Sequence, residues 1–319
     1  MRADLPITVS DEVTAALMNG EPVVALESTL IAHGLPWPRN LEVGEELEER
    51  LRSTGVTPAT VGAVGGRLTV GLSPAELRLL AGGDEVLKAS VRDLPVVVAT
   101  KAHAATTVAS TAWLADRAGV RVFATGGLGG VHRDASFDES ADLGALAKTP
   151  IVVVCAGVKS ILDIPATLER LETHGITVVG YGTNAFPGFY LADSGHTVDW
   201  RVDAPETVAA ARASADALGL SSAIVVANPV AEDAQLDQDL HDRVLREALA
   251  EARRQGVHGK PVTPFLLDHF HTATEGASLA VNIEVVRGNV DLAGRIATES
   301  ATALNTGPDE PGLGRPHGQ

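Results

Sequence analysis

The sequence predicts a three-layer α/β/α fold around a central, largely parallel or mixed sheet. Three observations carry that expectation. Short apolar runs of strand length alternate with amphipathic helical patterns nearly throughout. The runs are apolar at every position rather than every second one, as strands buried on both faces are. The helical patterns tend to close on glycine, a left-handed stop after the last turn. Strand–helix alternation of this kind places helices on both faces of a sheet. Composition agrees: 45% of the 319 residues are apolar, 3% are aromatic and 32 are glycine, which suits tightly packed α/β layers.

In chain order, strands are expected at PVVALES (22–28), PVVVAT (95–100), VRVFAT (120–125), PIVVVCA (150–156), ITVVGYG (176–182) and SAIVVANP (222–229). Helical patterns lie at 41–55, 105–119 and 160–175, ending in Gly55, Gly119 and Gly175. The β-branched residues and paired glycines of 57–73 read as a hairpin beside the main sheet. A polar helix over 237–255 and a helical pattern from Ser278 to Thr302 follow. With no internal repeat and no linker, one α/β catalytic domain is expected over 1–305, with a disordered Gly/Pro-rich tail at 306–319.

A net charge of −16 is the opposite of what a phosphate-backbone binder needs, so nucleic acid and anionic membrane are excluded as expected partners. No apolar run approaches the roughly 20 residues of a membrane span. The N-terminus has neither a basic start nor an apolar h-region. The only cysteine, Cys155, falls in a buried strand, which fits a reducing compartment. A cytoplasmic protein with a small-molecule partner is the expectation.

The richest segment is PIVVVCAGVKSILD (150–163). Lys159 emerges where a buried strand ends, on the turn before a helical pattern. Desolvation and the positive end of a helix dipole both disfavour an ammonium there, as an imine-forming lysine requires. The plain alternative is a surface lysine on a βα loop. Glu27, at the end of another buried strand, is placed for a raised pKa and general-acid work, or simply for a cap. The loop TGGLGG (125–130), followed by His132 and Arg133, has four glycines in six positions. It suits a phosphate or sugar site, although a tight turn explains some of them. Asp138, Glu139, Ser140 and Asp142 crowd five positions and either hold a hard cation or cap a helix. Lys88 gains interest only beside Lys159 and Arg133, with which it could neutralise a phosphate.

Several features invite less. Asp268 to His271 lacks a third ligand at zinc spacing, and no Ser-His-Asp or Cys-His arrangement stands out. The histidines His103, His241 and His258 read as surface residues, and the acidic run EVGEELEER (42–50) as a solvated helix face.

Taken together, VVALESTLIAHGLPWPRN, RDLP, TTVAST, VFATGGLGGVHR, FDESADL, CAGVKSILD, VVANP and TPFLL closely resemble, in order and over roughly Val23 to Asn289, the pseudouridine-5′-phosphate glycosidase family. The resemblance implies an α/β/α homotrimer with a divalent metal, Mn²⁺ or another such as Mg²⁺. It implies reversible cleavage of the C–C bond of pseudouridine 5′-phosphate to uracil and ribose 5-phosphate. By the same resemblance Lys159 forms an imine at ribose C1′, Glu27 protonates the ring oxygen, and Asp138 holds the metal through a hydrated shell. Lys88, the backbone at Val108, and Ser140, Ala141 and Asp142 contact the sugar phosphate. His132, Thr125 and Asn282 line the same pocket, Asn282 facing the base. A C–C glycoside offers no basic heteroatom at the link for two-carboxylate hydrolysis, so opening the ribose with an amine fits the bond. The loop Arg133–Ser136 is shorter than the family's, and Asn184 stands where many relatives carry a charge. Both departures concern the aglycone, and some relatives join ribose 5-phosphate to an aromatic acceptor instead.

Overall fold

The computed structural model describes residues 6–83, 85–133, 138–257 and 262–306. The expected tail beyond Thr306, His258 and most of the loop Arg133–Ser136 therefore lie outside the described residues.

The chain opens with β1 (Ile7–Val9), α1 (Asp11–Met18) and β2 (Val23–Glu27), then α2 (Arg39–Ser53), β3 (Thr57–Val64), β4 (Arg67–Val70) and α3 (Pro74–Gly82). Next come β5 (Leu87–Ala89), α4 (Leu94–Thr100), β6 (Ala104–Thr106), α5 (Val108–Ala118), β7 (Val122–Ala124) and α6 (Ala141–Leu146). After β8 (Val152–Cys155), α7 (Ile164–Thr173) and β9 (Thr177–Tyr181), a small hairpin of β10 (Ala185–Phe186) and β11 (His196–Thr197) precedes β12 (Trp200–Val202). The chain closes with α8 (Pro205–Ala217), β13 (Ile224–Ala227), α9 (Gln238–Gln255), α10 (Val262–Ala273) and α11 (Ala277–Thr306).

The central sheet is ordered β1-β4-β3-β2-β7-β8-β13-β9-β12, with β6 pairing β3 and β5 pairing β6. From β3 to β12 every neighbouring pair is parallel. The hairpin expected beside the main sheet at 57–73 is the antiparallel pair β3–β4, and it lies within that sheet, because β3 pairs in parallel with β2; the sheet is mixed and mainly parallel, as expected.

Side-chain alternation explains the layers. Val153 and Cys155 of β8, Val225 and Ala227 of β13 and Phe123 of β7 pack into one core, against α5, α6, α7, α9 and α10. Val152 and Val154, Ile224 and Val226, and Val122 and Ala124 point the other way, against α2, α8 and α11. Strands covered on both faces must be apolar throughout, and each fully buried aliphatic side chain contributes roughly 1.5–3 kcal/mol relative to exposure.

Four further expectations need correction. Residues 95–100 form α4, not a strand. Pro95 lies in its first turn, where its missing N–H costs nothing. Leu94 and Val97 are buried and Val96 is exposed, a helical spacing hidden by the run of valines. Helix α7 starts at Ile164 behind the N-cap Asp163, which accepts the Ala166 N–H at 3.0 Å; residues 160–163 are a turn. The acidic face of α2 is not wholly solvated, because Glu48 is buried and accepts the Thr60 hydroxyl at 2.6 Å. His241 is buried too, its ring 5.6 Å from that of Phe270 and its Nδ1 2.9 Å from Asp242 Oδ1. Burial holds its imidazole below the ordinary histidine pKa.

Candidate active site

Strand order locates the site. The chain runs from β2 leftward to β3 and later resumes at β7 on the other side of β2. The crevice between the carboxyl ends of β2 and β7 is therefore a topological switch point, where open α/β sheets bind ligands. Glu27 ends β2, Thr125 directly follows β7, and the turn carrying Lys159 follows β8, the next strand over.

Thr125, buried, donates its hydroxyl to Glu27 Oε1. Glu27 keeps a partly open side and is otherwise enclosed. Burial raises its carboxyl pKa; attraction to Lys159, the Thr125 hydroxyl and Lys88 oppose the rise, and the charge of Asp142 adds to it. Desolvation wins, so the carboxyl keeps its proton to higher pH than a free glutamic acid does, the direction that general-acid work calls for. Glu27, Thr125, Lys159, Lys88 and Asp142 thus form one electrostatic unit, assembled from five separate stretches of chain.

The Lys159 turn owes its path to Gly157. That residue has φ +74°, and a Cβ there would collide with the Pro187 carbonyl. The turn is fixed by the Leu128 N–H on Gly157 O at 2.9 Å and by the Lys159 N–H on Leu128 O at 3.2 Å. Lys159 itself is half-buried.

The loop 125–130 is glycine-rich for packing. A Cβ at Gly127 would lie 2.7 Å from the Phe189 ring, and one at Gly129 would strike Ser140 and Asp142. The Gly129 N–H donates to Asp142 Oδ2 at 2.9 Å, and the Ala109 N–H of α5 donates to Oδ1 at 3.0 Å. The Asp142 carboxylate therefore ties the glycine loop to the start of α5. Ser140 is the N-cap of α6, its Oγ accepting the Asp142 N–H at 3.2 Å, and Ala141 is the exposed first residue. Val108 is buried as the first residue of α5, whose positive end favours an anion.

The remaining candidates stand around this unit. Lys88 is exposed on β5. The His132 N–H donates to the Asp138 carbonyl at 2.9 Å, and both residues are half-buried. Asn282 of α11 is buried beside Gly126, and among the described residues its Oδ1 has no hydrogen-bond partner. Asn184 is exposed on the small hairpin and donates to Val198 O at 3.1 Å.

Sequence reasoning missed three residues around the site, Ser28, Thr29 and His33. Ser28 Oγ donates to Val61 O at 2.6 Å and accepts the Thr106 N–H at 2.9 Å, while Thr29 Oγ1 donates to Thr106 O at 2.7 Å. These hydroxyls, of buried Ser28 and half-buried Thr29, stitch the end of β2 to the β6–α5 junction. Their signal was the polar Ser-Thr directly after an apolar strand. His33, on the π-helical turn Leu30–Gly34, is held below the ordinary histidine pKa by burial and by Lys88.

The chain matches the family model described as Indigoidine synthase A like protein over residues 12–299. It is 63% identical over 293 residues to a pseudouridine-5′-phosphate glycosidase of Salinispora tropica, covering 91% of this chain and 90% of that protein. It is 62% identical to a protein of the same name from Frankia alni, covering 96% and 85% respectively. The fold superposes on the crystal structure of the prealnumycin C-glycosynthase AlnA in complex with ribulose 5-phosphate with a TM-score of 0.88, at 33% identity, covering 96% of this chain and all of that one. An indigoidine synthase A-like protein of Thermotoga maritima gives 0.85 at 36% identity, over 94% and 99% of the two chains. With a glutamic acid, a lysine and a glycine-rich loop meeting at its switch point, the chain belongs to the indigoidine synthase A-like family.

Proposed function

We infer that the chain is a pseudouridine-5′-phosphate glycosidase that cleaves the C–C glycosidic bond reversibly to uracil and ribose 5-phosphate. The observation that carries this is the pairing of Glu27, its pKa raised by burial, with Lys159 across the switch-point crevice. Identity of 63% to a glycosidase over nine-tenths of the chain supports it.

Glu27 gives its proton to O4′ as the C1′–O4′ bond breaks and the amine nitrogen of Lys159 bonds to C1′; the nitrogen then loses a proton to the Glu27 carboxylate, which restores its lone pair. Glu27 passes that proton to uracil C5, and the nitrogen lone pair forms C1′=N while the C1′–C5 pair returns to the uracil ring. Water then adds to the imine, freeing Lys159 and the aldehyde of ribose 5-phosphate. Thr125 holds the Glu27 carboxyl in place. Lys88 and the positive end of α5 at Val108 are assigned to the phosphate, with Ser140 and Ala141 beside them. Asp142 acts by fixing the loop, and His132 and Asn282 line the pocket. The unpaired Oδ1 of Asn282 suits an N–H of the base.

Asp138 is assigned a Mn²⁺ or Mg²⁺ ion. Among the described residues no three His, Cys, Asp or Glu side chains converge on one point. A single carboxylate fits a hard cation that keeps most of its waters and does not fit a dehydrated protein cage. Held there by Asp138, such a cation would supply positive charge to offset that of the substrate phosphate.

A C-glycosynthase joining ribose 5-phosphate to an aromatic acceptor is the second reading, supported by the likeness to AlnA at 33% identity. The much higher identity to glycosidases favours the first. A homotrimer, a single domain over 1–305 and a cytoplasmic location complete the proposal; one continuous sheet and one buried cysteine support the last two.

The deciding experiment is release of ribose 5-phosphate from pseudouridine 5′-phosphate with and without Mn²⁺. Rapid, metal-dependent release supports the glycosidase. Absence of release, with borohydride still trapping ribose 5-phosphate on Lys159, transfers the assignment to the synthetic reading.

A further inference from the structure

Behind the acid and the lysine lies an amide that touches neither. Asn289, on α11, is fully buried. Its Nδ2 donates to the Thr125 carbonyl at 2.7 Å and to the Gly126 carbonyl at 3.3 Å. Its Oδ1 accepts from Asn228 Nδ2 at 3.0 Å. Asn228 directly follows β13, and its own N–H donates to the carbonyl of Cys155, the last residue of β8, at 2.8 Å. One helix side chain is thereby bonded to the end of β7, where Thr125 reaches Glu27. Through Asn228 it is also bonded to the end of β8, where the chain turns toward Lys159.

The orientation of the amide is unambiguous. Turned over, it would set its oxygen against two carbonyl oxygens and its NH₂ against that of Asn228. Its neighbours on α11, Val286, Val290, Leu292 and Ala293, are apolar, and a leucine in its place would leave the Thr125 carbonyl and the Asn228 amide without the partner Asn289 gives them. A buried amide with both donors and its acceptor engaged sets backbone positions more narrowly than apolar contact does.

We propose that Asn289 is a positioning residue of the reaction, holding the Thr125–Gly126 turn so that the Thr125 hydroxyl bears on Glu27, with Asn228 as its anchor. The inference rests on the acid and lysine roles proposed above. Glu27 is faced by Thr125 after β7, by Lys159 after β8, by Asp142 on α6 and by Lys88 on β5. Of these only Thr125 is held by Asn289. The Thr125 hydroxyl stabilises the Glu27 carboxylate, so loosening it leaves desolvation less opposed and moves the ionisation of Glu27 to higher pH.

The test compares Asn289→Ala, Asn228→Ala, Thr125→Val and the double variant N289A/T125V. In Asn289→Ala, kcat should fall roughly ten- to a hundredfold, with KM for the nucleotide within about threefold. The alkaline limb of the kcat profile should move to higher pH, as in Thr125→Val, and the double variant should move it no further. Asn228→Ala should act in the same direction and less strongly. A loss of kcat matched by loss of borohydride-trappable Lys159, with the limb unmoved, would mean a structural role only and would overturn the inference. Additive shifts in the double variant would overturn it as well. If Asn289→Ala does not fold, Asn289→Ser and Asn228→Ala carry the same readout. If wild type does not cleave the nucleotide, the proposed reaction fails separately. The inference is then decided by ¹³C NMR titration of the Glu27 carboxyl, assigned with Glu27→Gln, in wild type and Asn289→Ala: an upward shift supports it and an unmoved titration overturns it.

Discussion

The proposed acid role of Glu27 needs a proton at a pH where a free glutamate has lost it, and its surroundings shift it in that direction. Burial raises its pKa more than Lys159, Thr125 and Lys88 lower it. Activity that depends on the protonated acid is therefore lost as pH rises through the raised value. Glu27→Gln should lower kcat by roughly 10² to 10⁴ and remove that alkaline limb. The same shift affects stability. A carboxyl whose folded pKa is raised favours the native state below its unfolded value, near 4.5, and this advantage disappears as pH rises through the folded value. Glu27→Gln should therefore melt higher than wild type at pH 7, with the gap closing toward pH 4.5; a gap independent of pH would argue against a buried, titrating Glu27. Lys159→Ala should reduce turnover by on the order of 10³ or more and abolish borohydride trapping while ribose 5-phosphate still binds. An adduct on Lys88 in the wild type would reverse the assigned roles. Cys155, its thiol pushed up to about 12 by burial, should resist thiol reagents until the protein unfolds.

At the scale of elements, the site depends on strand ends being tied to their neighbours. Gly157 lets β8 turn with a positive φ under the Pro187 carbonyl. Gly157→Ala adds both backbone strain and a collision, so it should cost more than about 1–3 kcal/mol and displace Lys159. Denaturant unfolding gives the first effect, and the rate of borohydride trapping gives the second. Ser28 works in the same way at the end of β2. Ser28→Ala leaves the buried Thr106 N–H without the acceptor it has at 2.9 Å, at a cost of roughly 1–3 kcal/mol. Sequence periodicity reads such elements well when burial is two-sided, as in β8 and β13. It misreads α4, where a run of valines hides a helical spacing and only Pro95 marks the first turn.

At the scale of the molecule, the parallel strands from β3 to β12 put their carboxyl ends along one edge. The reversal between β2 and β7 opens that edge beside Glu27 and Thr125. The acidic chain, with its net charge of −16, repels a phosphorylated substrate at long range, so local positive groups, Lys88 and the start of α5 among them, must supply the attraction. Affinity for ribose 5-phosphate should therefore rise with moderate salt before specific competition sets in, since distant charges are screened first; a monotonic fall would show that local pairing dominates throughout. Light scattering checks the proposed homotrimer, with three chain masses expected.

The sequence by itself determined the layered α/β fold, because strands buried on two faces must be apolar throughout and their helices must be amphipathic. It also singled out Glu27 and Lys159, because a charged residue at the end of such a strand is conspicuous. Tertiary structure decided what those residues face. The meeting of Glu27 with Thr125, the engagement of Asp142 with Gly129 and Ala109, and the reach of Asn289 to Thr125 join residues far apart in the chain. No local period records such contacts, since they follow from strand order and register, which only the packed sheet specifies.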